Sequence, residues 1–199
     1  MILRLFFLIL PALVFGQMAD CNVYFSPKDQ LADRLIEFID KEEKTIKVAI
    51  YSMTHVGIAK ALARANERGV AIEVLVDPFS VKIRSSIHKV LDAKIPLFVW
   101  DQGIRMGAKK RKALMHDKFC VFGDHTVWTG SFNFTNDAHL KHQENAITIE
   151  SREIAGEYLT QFSHMKLYES RSYHEYIALH PRPRPKKTKK IGNLPKLAR

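Results

Sequence analysis

The sequence predicts an α/β sandwich: a mixed, largely parallel central sheet flanked by helices. Three observations predict it. Between Asn22 and Trp100, short apolar runs take turns with amphipathic stretches, in the β-α-β-α-β-α-β order that builds a layered sheet. Further on, two closely spaced apolar runs are joined by Gly123-Asp124, a hairpin signal. Finally, 46% of the 199 residues are hydrophobic and 26% charged, as in one ordinary globular domain and unlike a disordered or fibrous chain. The domain is expected over residues 22–175.

Each element has its own signal. Asn22 to Phe25 reads as a short strand, and Ser26-Pro27 as the opening of a helix, with Ser the cap and Pro its first residue. Leu31, Leu35 and Phe38 form the inward stripe of that helix, which is expected to end near Glu43. Thr45 to Tyr51 alternates as a strand. The next helix keeps Ile58, Leu62 and Ala65 in register and stops at Gly69. Val70 to Val76 is a core strand, Ile83, Ile87 and Val90 mark a third helix, and Pro96 to Trp100 is another strand. The hairpin is expected from Leu114 to Phe122 and Thr126 to Thr129, followed by a strand from Asn145 to Ile149. A helix from Arg152 to Tyr168 closes the fold, with Ile154, Tyr158, Phe162 and Met165 on one face.

The formal net charge is +10, which favours polyanionic partners, nucleic acid or an anionic lipid surface, over acidic proteins and neutral metabolites. That charge is concentrated. Residues 180–199 hold eight Lys and Arg and no acid, in a Pro- and Lys-rich tail that cannot form a core, while the body is nearly neutral. At the other end, residues 1–16 carry Arg4 and then an apolar run from Leu5 to Phe15, about half the length needed to cross a ~30 Å hydrocarbon core. Val14 and Gly16 suit a cleavage site, so the segment reads as a signal peptide for export, periplasmic or facing the periplasm. An uncleaved membrane anchor is the alternative. With two cysteines, a disulfide-stapled miniprotein and a multi-cysteine zinc ribbon are excluded. Export permits a Cys21–Cys120 bridge, and a buried free thiol in the apolar strand at Cys120 is the other reading.

The chemistry lies between Leu114 and Asn145. His116 and Lys118, two apart in a strand, are expected on one face, an imidazole beside a fixed positive charge. Ser131 and Asn133 alternate in the same way and offer a hydroxyl and an amide to one place, with Gly130 allowing close backbone approach. A lone H-x-K carries little information, and this chain has two more, His139-Lys141 in a polar stretch and His164-Lys166 on an amphipathic helix, both read as solvated surface. The first alone lies on an apolar strand and is followed, twelve residues after its lysine, by G-S-x-N.

These residues resemble the phospholipase D superfamily, whose signature is H-x-K-x₄-D with a downstream G-S-x-N, and in particular its small single-motif bacterial nucleases. The resemblance extends over Val23 to Pro27, Ala49 to Ser52, Val74 to Asp77, His116 to Lys118, Thr129 to Thr135 and Glu144 to Ala146. It implies that His116 is the nucleophile of a covalent phosphohistidine. Lys118 and Asn133 would bind the non-bridging phosphate oxygens with support from Ser131, and Glu144 would orient the histidine ring. It implies no metal and no cofactor. One position departs from the signature: Gly123 stands where the motif aspartate belongs, and Asp124 follows, so a one-residue slip would be needed to keep a carboxylate near. Members with two motif copies bring two histidines to one phosphate. This chain has one qualifying copy, so the resemblance implies a homodimer with a shared site.

The motif does not choose the phosphodiester. Arg105, Lys109, Lys110, Arg111 and Lys112 form a basic stretch just before the active-site strand, and with the tail they suit nucleic acid, single-stranded DNA above duplex, RNA remaining open. The alternative is a phospholipase D or cardiolipin-type hydrolase, its basic residues making a peripheral contact with an anionic membrane. An intact His116, Lys118 and Asn133 set speaks against a non-catalytic binding module.

Overall fold

Val48, Ala49 and Ile50 on one strand and Val74, Leu75 and Val76 on the next lie side by side with no exposed surface, and because successive side chains face opposite ways this requires cover above and below their sheet. The computed structural model describes residues 19–81, 85–101 and 113–181. Its strands are β1 (Asp20–Ser26), β2 (Thr45–Ile50), β3 (Ala71–Val76), β4 (Leu97–Trp100), β5 (Lys118–Phe122), β6 (Thr126–Gly130), β7 (Glu144–Glu150) and β8 (Ser170–Ser172). They form one sheet in the order β1-β7-β6-β5-β2-β3-β4-β8. The helices are α1 (Leu31–Lys41), α2 (Val56–Glu67), α3 (Ile87–Asp92), α4 (Asn136–Leu140), α5 (Arg152–Tyr168) and α6 (Tyr173–Leu179). Helices α1, α2 and α3 pack on the face that carries Val48, Ile50, Val74, Val76, Cys120 and Trp128. Ala155, Phe162 and Met165 of α5 cover the other face, over Ala49, Leu75, Phe119, Val121 and Val127.

The mixed sheet with flanking helices is as expected, but its parallel part is smaller. Only β2 with β3 and β3 with β4 run parallel among the described strands, and the other five pairings are antiparallel. Parallel neighbours need a crossover, which α2 and α3 provide, whereas β5 and β6 are joined by the tight turn at Gly123-Asp124 and pair antiparallel; β7 follows a longer link that holds α4 and still runs antiparallel to β6, and β1 and β8 add antiparallel pairs with strands far from them along the chain.

Three further expectations change. Helix α1 begins at Leu31, not at Ser26-Pro27. Ser26 stays in β1 opposite Glu144, and its hydroxyl donates to the His142 carbonyl and accepts from the Glu144 N–H, so it caps nothing. Second, His139 is not solvated. It lies buried in α4, where its Nδ1 accepts from the Ala32 N–H at 3.4 Å at the start of α1. His164 is exposed as expected, while Lys166 reaches Glu73 at 2.8 Å. Third, both thiols are free. Cys21 and Cys120 stand three strands apart, roughly 14 Å at ordinary strand spacing and far beyond disulfide reach. Burial pushes the Cys120 thiol well up from its ordinary range. Segments α4, α6 and β8 were not anticipated. The signal segment 1–16, Ile83, the basic stretch Arg105 to Lys112 and the tail from Arg182 onward lie outside the described residues.

One glycine is decisive. Gly130 ends β6 at φ +147°, and a Cβ there would stand 2.3 Å from the Asn145 carbonyl oxygen on β7. We expect Gly130→Ala to destabilise the fold by about 2–4 kcal/mol through forced backbone movement. Gly156→Ala, in open space on α5, should instead stabilise by about 0.5–1 kcal/mol. Urea unfolding of both variants checks this; an unperturbed Gly130→Ala would contradict the close approach.

Candidate active site

The site forms at the carboxyl ends of the parallel strands, where open α/β sheets place their ligands. Asp77, just past β3 and 2% exposed, is its anchor. One carboxylate oxygen accepts from the Met115 N–H at 3.0 Å and the other from the Phe79 N–H at 2.8 Å. The Tyr51 N–H, past the end of β2, donates to the Asp117 carbonyl at 3.0 Å. The segment carrying His116 is thus held by its backbone from both sides.

His116 lies ahead of β5, so strand alternation does not place it, contrary to expectation. The pair meets all the same. Lys118 Nζ stands 3.1 Å from His116 Nδ1 and 3.4 Å from Nε2, and donates to the His116 carbonyl at 2.6 Å. Lys118 is 8% exposed, with Nζ 5.6 Å from the centre of the Tyr51 ring. Burial lowers its pKa, and the carboxylates of Asp117 and Glu144 oppose that by favouring the ammonium. Glu144 is therefore coupled to the lysine across the site.

Gly130's close approach also organises the second group. The Ser131 N–H donates to the Asn145 carbonyl at 3.1 Å, and the Asn145 N–H donates back to Ser131 Oγ at 3.0 Å. Ser131 Oγ in turn donates to Glu144 Oε2 at 2.5 Å. Within the chain, then, the hydrogen bond of the Glu144 carboxylate goes to Ser131. Asn133 sits between Phe132 and Phe134, two core side chains. The Phe134 N–H donates to the Ser52 carbonyl, and the Phe134 carbonyl accepts from the Thr54 and His55 N–H groups, which locks that loop to the end of β2. The buried Asn133 Oδ1 has no hydrogen-bond partner among the described residues.

An open cleft of about 540 Å³ is lined by His116, Asp117, Lys118, Thr129 and Gly130 and, from α5, by Glu157, Tyr158 and Gln161, so of the predicted set it is His116 and Lys118 that line it. Asp124 does not reach it. Gly123 and Asp124 occupy the turn after Phe122, at the far end of β5 from Lys118, and the exposed Asp124 pairs with Arg152. The slip leaves a structural carboxylate, but away from the cleft. Sequence reasoning assigned no role to Tyr51, Asp77 or the α5 lining. Tyr51 and Asp77 fell within stretches of resemblance, and only the fold shows what they touch. Among the described residues, no three His, Cys, Asp or Glu side chains are grouped to hold a metal ion.

Comparison with known proteins bears directly on this geometry. The family described as "Cardiolipin synthase, PLD-like domain" matches residues 35–166. A phospholipase D of Rickettsia felis is 33% identical over 143 residues, covering 71% of this chain and 67% of that protein. Nuc from Salmonella typhimurium, a phospholipase D family member of known structure, matches with a TM-score of 0.69 at 29% identity, over 78% of this chain and 99% of Nuc. NucT from Helicobacter pylori shares the fold, with a TM-score of 0.70 at 23% identity, over 78% of this chain and all of NucT (100%).

The coupling of Glu144 to Lys118 has a consequence with a fixed sign. A nearby carboxylate favours the ammonium, so Glu144→Gln should let Lys118 lose its proton at lower pH than in the native protein. An NMR titration of the Lys118 side-chain nitrogen measures this. A midpoint that stays put or rises would contradict the coupling.

Proposed function

This chain belongs to the phospholipase D-like family of phosphodiester hydrolases, and we propose that its own substrate is nucleic acid, cut through a covalent phosphohistidine. The observation that carries the mechanism is the buried Lys118 ammonium 3.1 Å from the His116 ring. It sets a positive charge where the non-bridging oxygens of an attacked phosphate would gather.

A ring nitrogen of His116 attacks phosphorus, and the P–N bond forms as the P–O bond to the leaving oxygen breaks. Lys118 and the Asn133 carboxamide hold the non-bridging oxygens with support from Ser131, whose hydroxyl is positioned by its hydrogen bond to Glu144. The leaving oxygen takes a proton from a second histidine, His116 of a partner copy. That histidine then removes a proton from water, which attacks phosphorus and breaks the P–N bond. With its charge relay complete inside the protein, this scheme uses no metal.

The positive charge suits a polyanion, and a strand of nucleic acid is one. The stretch Arg105 to Lys112 leads into the His116 segment, and the C-terminal tail adds eight more cations. A flexible single strand threads past basic segments to His116 more easily than a stiff duplex. The second reading, hydrolysis of a phosphatidyl lipid, is favoured by the phospholipase D name of the Rickettsia relative. The apolar segment at residues 5–15 supports an exported enzyme.

Two experiments test the reading. With EDTA present, the protein should cut single-stranded DNA and leave phosphatidylglycerol and cardiolipin vesicles intact, and His116→Ala should lose roughly a thousandfold or more in rate. Lipid cleavage without nucleic-acid cleavage, or full dependence on a divalent ion, would overturn it. Second, native chains are co-refolded with His116→Ala chains at varied ratios. A shared site makes activity follow the square of the native fraction; a linear dependence would show that each chain works alone.

A further inference from the structure

We propose that Glu157 and Gln161 of α5 read the base beside the scissile phosphate and favour guanine, an inference that deepens the nucleic-acid reading above and rests on it. Both side chains line the cleft that holds His116 and Lys118. Both residues are exposed, and among the described residues neither side chain makes a hydrogen bond or an ion pair.

The helix itself gives the carboxylate no reason to be there. Glu157 has Ile154 and Thr160 three positions away and Glu153 and Gln161 four away, so no cation on α5 faces it, and Glu153 is a like charge one turn behind. The wall is nevertheless fixed. Between the two, Tyr158 stands edge-on to Phe119 of β5, with ring centres 4.9 Å apart and 76° between planes. Phe119 is 3% exposed and directly follows Lys118, so α5 is anchored on the strand that carries the ammonium. A wall in place before substrate arrives lowers the ordering cost of contacts made on it.

Charge decides which part of a nucleotide lies against that wall. Of the described lining residues, only Lys118 and a protonated His116 are cationic, and the attacked phosphate belongs beside them. Glu157 and Asp117 are carboxylates and repel a second phosphate. What remains is sugar or base. A carboxylate only accepts hydrogen bonds. Inside a DNA strand the sugar hydroxyls are esterified, so the sugar has no O–H to give, whereas base edges carry N–H groups.

The order of donors and acceptors then selects among the bases. Guanine offers, side by side on its Watson–Crick edge, the O6 acceptor, the N1–H donor and the N2 amino donor. Glu157 takes the two donors with its two oxygens. Gln161, four positions on and so on the same face of α5, gives an amide N–H to O6. Adenine and cytosine place a ring acceptor beside their amino group, and thymine sets its single N–H between two carbonyls, so none of them offers the carboxylate two adjacent donors. That edge is free only where the base is unpaired, so the same wall favours single strands over duplex.

The test uses deoxydinucleoside monophosphates, each with one phosphodiester, carrying guanine, hypoxanthine (guanine without its N2 amino group) or thymine on one side of the phosphate and then on the other. In one of the two placements the native protein should cut the guanine compound with a kcat/KM about three- to tenfold above that of the hypoxanthine compound, the range of one lost hydrogen bond. Glu157→Gln and Glu157→Ala should each bring that ratio close to one. Gln161→Ala should slow the guanine and hypoxanthine compounds together, since both keep O6. Equal cutting of guanine and hypoxanthine compounds by the native protein overturns the inference and leaves the nucleic-acid reading standing. A ratio unchanged in both Glu157 variants, with every compound cut faster, would make Glu157 a plain repulsive charge and also overturn the inference alone. No cleavage of any nucleotide, with hydrolysis of phosphatidylethanolamine vesicles, sinks the nucleic-acid reading together with it and gives the same acceptors to an ammonium headgroup.

Discussion

The carboxylate of Asp77 is the constraint on which the site depends. It is buried at the end of β3, and a buried charge survives only when hydrogen bonds replace the water it has lost. Its two oxygens take backbone N–H groups from segments 36 positions apart, Phe79 and Met115. One bond fixes the turn that carries Phe79; the other fixes the strand approach that carries His116. A carboxylate accepting two N–H groups holds direction as well as distance. That turn and the His116 segment are thereby set relative to the same strand end, without either depending on the other's side chain.

The second half of the site is organised by a missing side chain. Gly130 lets β6 lie against Asn145 closely enough for Ser131 to exchange backbone and side-chain hydrogen bonds with β7. Glu144 reaches Ser131 because of that contact, and from there its charge is felt by Lys118. The two halves are therefore joined electrostatically across the cleft, by a carboxylate on β7 and an ammonium on β5. Neither strand is adjacent to the other: β6 lies between them. The antiparallel order β7-β6-β5 puts the end of β6 between the starts of its neighbours, and the reactive groups gather there.

That order explains what was legible in the sequence and what was not. The helical crossovers from β2 to β4 were readable, since periodicity is local and each crossover helix carries its own apolar stripe. The β5–β6 hairpin was readable from its turn at Gly123-Asp124, but the antiparallel places of β1, β7 and β8 were not, because they pair with strands far away in sequence and the apolar pattern does not show which strands meet. His116, Lys118, Ser131 and Asn133 stood out as residue types at fixed spacing. Tyr51, Phe79 and Asp77 did not, because they are placed by contacts spanning 28 to 65 positions along the chain. His139 was misread for the same reason: Ala32, its partner, lies 107 positions away. Local spacing reveals chemistry that is built within one element, and it is silent on chemistry assembled between elements.

Distance also divides the electrostatic work. Lys118 acts at contact range from a buried position, where water and salt reach it little, so its effect on a bound phosphate persists at high ionic strength. On the nucleic-acid reading proposed above, the eight cations of the tail add attraction for a polyanion, and beyond a Debye length of ~10 Å at 0.1 M salt such attraction is largely screened. Salt should then weaken capture of a strand far more than it slows the chemistry on a strand already bound. Apart from the eight cations of the tail the chain is nearly neutral, which on that reading keeps those two functions separable. On that reading, Asp77 and Glu144 can hold the site together while the attraction for a strand comes from cations elsewhere in the sequence.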